Sequence, residues 1–202
     1  MTTKLTLRFI VTYIVVFAAV VWLFNFIPSG SVEALTAQTA AWALNLFGHA
    51  STWAQSDGYT MLTLVGQNAV TVSIVRECTA LNVLGVMVGL ILPLQTIWIQ
   101  KAKGVVIAGF LLFALNIPRI ALTVYLTAYD IWPFTLLAAR SLETYHYPIS
   151  FAFGIIGVAV TILGVSRWAT PELSETLIGL MDGAMGSGKK EHETASYEKR
   201  IA

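Results

Sequence analysis

The chain has 202 residues, 56% of them hydrophobic and only 11% charged, with a net charge of +1 and a mean hydropathy of +0.73. Soluble domains carry about 25% charged residues, so this composition excludes a water-soluble globule and leads us to expect an integral membrane protein. The near-neutral charge gives no footing for a nucleic-acid partner, and a single cysteine excludes an intrachain disulfide.

Four apolar runs are long enough to cross a hydrocarbon core, which takes about 20 helical residues. The first, Phe9–Ile27, exceeds the roughly 7–15 residues of a signal-peptide core, and no A-x-A site follows it directly, so a retained helix is expected. In Ser31–Phe47, Val32, Leu35, Trp42 and Leu46 fall at helical spacing with Thr39 filling the gap, which suits an amphipathic helix on the outer surface. Tyr59–Val65 and Ala69–Val75 have strand-like composition around "GQN" and predict a small extracytoplasmic β-hairpin. The hairpin leads directly to Arg76, Glu77 and Cys78. The second span is expected over Cys78–Gln100, and the third over Gly104–Pro118 continuing past Arg119 to Tyr125. Ile131–Ala139 is apolar but too short to span, so it predicts an interfacial or re-entrant helix. Tyr147–Ser166 is the last span. Beyond Pro171 the chain turns polar, and the end "GSGKKEHETASYEKR" has the composition of a disordered segment.

The expected architecture is therefore an all-α membrane bundle of four transmembrane helices (9–27, 78–100, 104–126, 147–167), with an outer segment over 31–77. Residues 1–168 form one membrane-embedded domain, and 169–202 a cytoplasmic tail. No internal repeat, P-loop, dinucleotide fingerprint or paired Cys/His spacing is present in the sequence, so no cofactor or metal is expected.

Orientation follows from the basic residues. Lys4, Arg8, Lys101, Lys103, Arg167 and the tail basic residues can all lie inside if both termini are cytoplasmic, leaving only Arg76, Arg119 and Arg140 elsewhere. Counting helical rise from these inner anchors, Cys78 and His146 are roughly 35 and 32 Å away, and Arg119 is roughly 22 Å from Gly104. Against a core about 30 Å thick, three residues from three helices can meet near the outer edge.

Their chemistry fits one site. A thiol at a helix N-terminus beside a cation is favoured as thiolate. His146 could take its proton and return one to a leaving amine. Arg119, with five fixed donors and a permanent charge, could hold a developing oxyanion. Asn82 and Asn116 lie one turn from Cys78 and Arg119 and are read as supporting residues. Each residue has a plainer reading: inert packing for the cysteine, an interfacial position for the histidine, snorkelling for the arginine and interhelical hydrogen bonding for the asparagines. None of these explains the shared depth.

The segments "ECTALNV" around Cys78, "LNIPRIALTVY" around Arg119 and "YHYPISF" around His146 resemble, in order and placement, the three motifs of the exosortase/archaeosortase family. The resemblance covers roughly Ser31–Trp168. It implies that Cys78 is the nucleophile of an acyl-thioester, with Arg119 and His146 completing the site. Proton transfer falls to His146, because a guanidinium holds its proton too tightly. It further implies exported substrates ending in a recognition motif, an apolar helix and a basic tail, cleaved near the motif at the extracytoplasmic face of the cell membrane. The new C-terminus would pass to an acceptor such as a membrane lipid or another amine. Two rivals remain at this level: a protease of the same architecture that releases its product to water, and a non-catalytic membrane or transporter subunit.

Overall fold

The computed structural model describes residues 7–131 and 142–179, with side chains from residue 10 onward. In chain order the elements are α1 (Leu7–Phe24), α2 (Gly30–Leu46), β1 (Ser51–Ser56), β2 (Tyr59–Val65), β3 (Ala69–Ile74), a 3-10 turn (Arg76–Cys78), α3 (Leu81–Ile91), α4 (Trp98–Tyr129) and α5 (Leu142–Trp168). A last short helix covers residues 172–179.

The expected hairpin is present, extended by a strand not foreseen. β1, β2 and β3 form an antiparallel sheet in that order, with Val65 opposite Ala69 across the "GQN" loop and Ser56 opposite Tyr59 across Asp57-Gly58. Asp57 and Gly58 both have positive φ, 52° and 81°, as a two-residue hairpin turn of the favoured twist requires. One face of the sheet is apolar: Leu62, Leu64, Val72 and Ile74 pack against Ala37, Ala40, Ala41 and Leu44 of α2 and Ile120, Val124 and Ala128 of α4. The helix α2 therefore turns its small residues inward, where a sheet can approach closely. Its larger apolar residues Leu35, Trp42 and Leu46 face outward, along the stripe the spacing had marked.

The second core joins the helices. Tyr13, Met87, Ile91, Leu94, Ala108, Leu112 and Val165 bring α1, α3, α4 and α5 together, with Leu173 closing the far end. Helix α3 packs on α1 through Gly85 and Gly89; a Cβ at either position would come within 2.9 Å of Phe24 or Phe17. Small residues four apart allow such close backbone approach, and Tyr13 Oη donates to the Leu90 carbonyl at 2.8 Å across the same contact.

Two expectations about the spans are corrected. Cys78–Gln100 is not one helix: Cys78 ends a 3-10 turn, Ala80 takes a left-handed φ of 42°, and α3 has only 11 residues before the chain breaks at Leu92-Pro93. A helix of that length rises about 16 Å; Leu92 still has helical dihedrals, and Pro93 brings no N–H to carry the hydrogen-bond ladder further. Lys101 and Lys103 therefore lie not between two spans but in the first turns of α4, which begins at Trp98. That helix runs through Pro118, which removes only one rung, and reaches Tyr129; at 32 residues it is about 48 Å long. Helices α4 and α5 are each long and apolar enough to cross a membrane. The expected interfacial helix over Ile131–Ala139, beyond its first residue, and the polar end of the tail lie outside the described residues.

Candidate active site

Cys78 is half-buried and sits where three elements converge. Its 3-10 turn is closed by Cys78 N donating to the Val75 carbonyl at 2.8 Å and Thr79 N to the Arg76 carbonyl at 3.0 Å. The backbone carbonyl of Cys78 is held from α4: Asn116 Nδ2 donates to it at 2.6 Å and Arg119 Nη2 at 3.3 Å. The two donors stand three residues apart on α4, hence on one face. Asn116 is buried, and its amide finds in the Cys78 carbonyl the partner that burial demands.

His146 reaches the same place from α5. It lies in the helix rather than ahead of it, and Ser150 Oγ is 3.5 Å from its Nε2, one turn further on. Cys78, Arg119 and His146 line one cleft, together with Val72, Ser73 and Ile74 of β3, Ile120, Thr123 and Val124 of α4, and Leu142 of α5. The three residues picked out by depth and chemistry are thus brought together, though by a broken helix rather than a straight one.

Asn82 is placed differently. Its Oδ1 accepts from Arg76 Nε at 3.1 Å, and it lines a neighbouring cleft between α3, α4 and α5 in which Arg119 and Asn116 also appear. Arg76 in turn donates Nη1 to the Ile27 carbonyl at 2.7 Å and Nη2 to the Phe24 carbonyl. A guanidinium fork suits this task, since its spread donors can meet two carbonyls at and just beyond the end of α1 and a third acceptor at once. The turn carrying Cys78 is therefore braced from α1 by Arg76 and from α4 by Asn116 and Arg119.

Sequence reasoning missed Arg76 as a brace, Ser150 and the β3 lining. Ser150 carried a signal, the four-residue spacing from His146; the carbonyl partners of Arg76, Phe24 and Ile27, are 52 and 49 positions away and left no local trace.

A model of the transmembrane exosortase family matches residues 2–131, a stretch that contains Cys78 and Arg119 and ends before His146. No curated protein and no solved structure matches the chain. The family match covers well over half of the sequence and agrees with the resemblance read from the motifs. Together with the two long apolar helices, it leads to one conclusion: this membrane protein belongs to the transmembrane exosortase family.

Proposed function

We propose that the chain is a cysteine transpeptidase that cleaves the C-terminal sorting signal of exported proteins and passes the new C-terminus to an acceptor amine. The observation that carries this reading is the common cleft of Cys78, Arg119 and His146. In the first half-reaction the His146 imidazole takes the Cys78 proton, and the thiolate attacks the scissile carbonyl. The Arg119 guanidinium balances the charge on the tetrahedral oxygen. Collapse breaks the C–N bond, His146 returns the proton to the departing amine, and an acyl-thioester remains on Cys78. In the second half an acceptor amine, on a membrane lipid or another molecule, attacks the thioester, loses a proton to His146 and releases the cysteine. Hydrolysis differs only in that water makes this last attack, so product mass separates the two.

The membrane arrangement follows the same logic. Both termini are cytoplasmic and the cleft lies at the outer face. Arg119 stands roughly 32 Å along α4 from Trp98, which matches a core about 30 Å thick. The remaining turns of α4 project beyond it, and the sheet with α2 packs on that extension.

The test is processing of a tagged exported protein ending in an apolar helix and a basic tail. Cys78→Ala should abolish its shift in mass while the variant still folds and inserts, and Cys78→Ser should be nearly as severe. Full processing by the Cys78→Ala chain would end the transpeptidase reading.

A further inference from the structure

The sheet has an open edge that leads into the cleft. With strand order β1-β2-β3, one side of β3 pairs with β2, and among the described residues the other has no strand. Among the described residues no backbone hydrogen bond outside the sheet reaches Ala69–Ile74. The strand, Ala-Val-Thr-Val-Ser-Ile, contains none of the charges, prolines or glycines by which proteins usually blunt an edge. An unprotected edge strand is a template for another extended chain.

Its course is directional. Just before β3, Asn68 N donates to the Ala128 carbonyl near the end of α4 at 3.1 Å. From there the strand descends along α4, so that Val72, Ser73 and Ile74 line the cleft with Cys78, Arg119 and His146. Ile74 is followed after one residue by the turn that carries Cys78. At about 3.3 Å per residue, the six residues of β3 offer an edge of roughly 20 Å, enough for an extended segment of similar length.

We propose that β3 is the substrate-docking edge: the extended segment preceding the scissile bond adds to it as a fourth, parallel strand and so delivers its carbonyl to Cys78. The proposal rests on the transpeptidase reading, because that reading sets the direction. A chain whose apolar helix follows the scissile bond must run toward the membrane, as β3 itself runs toward Cys78. Main-chain hydrogen bonds then supply affinity with little demand on sequence. Every second side chain falls on the face of Val72 and Ile74, beside Leu142, Ile120 and Val124, where apolar residues are favoured.

Cysteine crosslinking tests this on the full chain. Cys78→Ala removes the only cysteine, and Thr71→Cys or Ser73→Cys is added to it singly. The probe is the tagged exported protein that the wild-type chain processes, carrying single cysteines along the segment before its cleavage site. Under mild oxidation, each edge position should crosslink to alternate residues of the probe. The partner of position 73 should lie two residues nearer the cleavage site than that of position 71. The reverse shift, crosslinking without alternation, or disulfides between two copies of the chain would overturn the proposal. So would the absence of crosslinks from variants that elute and melt like the Cys78→Ala parent, which shows them folded. None of these outcomes touches the transpeptidase reading, which falls instead if the Cys78→Ala parent still processes the probe.

Discussion

Replacing Asn116 by Ala examines how the nucleophile is held without touching a reacting atom. The side-chain amide donates to the Cys78 carbonyl at 2.6 Å, and the same oxygen receives only a longer contact, 3.3 Å, from Arg119. A hydrogen bond of this kind contributes about 0.5–1.5 kcal/mol net, and an acceptor left poorly satisfied in a buried site costs about 1–3 kcal/mol. Because Arg119 remains as a second donor, a loss of roughly 1–2 kcal/mol is expected, drawn from the population of correctly placed cysteine. That corresponds to about a 5- to 30-fold drop in processing rate, well short of the loss expected when Cys78 itself is removed. Asn116→Asp should be worse than Asn116→Ala, since it sets a carboxylate oxygen against the carbonyl and competes for Arg119. The assay follows processing of the tagged exported protein in membranes, with alkylation of Cys78 by a small apolar thiol reagent as an independent measure of its placement. If Asn116→Ala and Asn116→Asp both process at the wild-type rate, the carbonyl contact does not position the nucleophile and the reasoning fails.

Loss of His146 should slow processing by about 10²–10⁴-fold, and Arg119→Ala by roughly 10²–10³-fold; a double substitution little worse than the worse single one would mark them as one unit, and strict additivity would not. Arg76→Ala should lower both processing and the thermal stability of the purified protein, and Arg76→Lys should restore only part of either, because a single ammonium cannot serve the Phe24 and Ile27 carbonyls and Asn82 together; full rescue by Lys would argue for charge alone. Gly89→Leu should disrupt the α1–α3 contact at a cost of about 1–3 kcal/mol, read as reduced yield of folded protein, since even a Cβ there meets Phe17 at 2.9 Å. A reporter after Ala202 should be cytoplasmic and one near Asp57 extracytoplasmic; labelling of Ala202 from outside intact cells would overturn the orientation and the placement of the site.

Composition alone carries the membrane character, because burying apolar surface is an additive property of the whole chain and needs no knowledge of contacts. The β2–β3 hairpin was equally legible, since its two strands are adjacent in the chain and have strand-like composition on either side of a short loop. The β1 strand was not: four of its six residues are polar and only Ser51 is buried, so it lacks alternation, although Asp57-Gly58 carried a turn signal strong enough to have suggested it. Cys78, Arg119 and His146 could be named from residue type and helical rise, and they do share a cleft. The manner of their meeting could not, because a continuous apolar run from Cys78 hides the left-handed residue at Ala80 and the stop at Leu92-Pro93. The supporting asparagines show the difference most clearly. Both sit one turn from a site residue in sequence, yet Asn116 holds the Cys78 carbonyl while Asn82 is held by Arg76, whose other bonds reach back to α1. Spacing determines which face of a helix a side chain occupies; which partner waits on that face is decided only when segments distant in sequence pack together, 38 residues apart for Asn116 and Cys78 and 49 for Arg76 and Ile27.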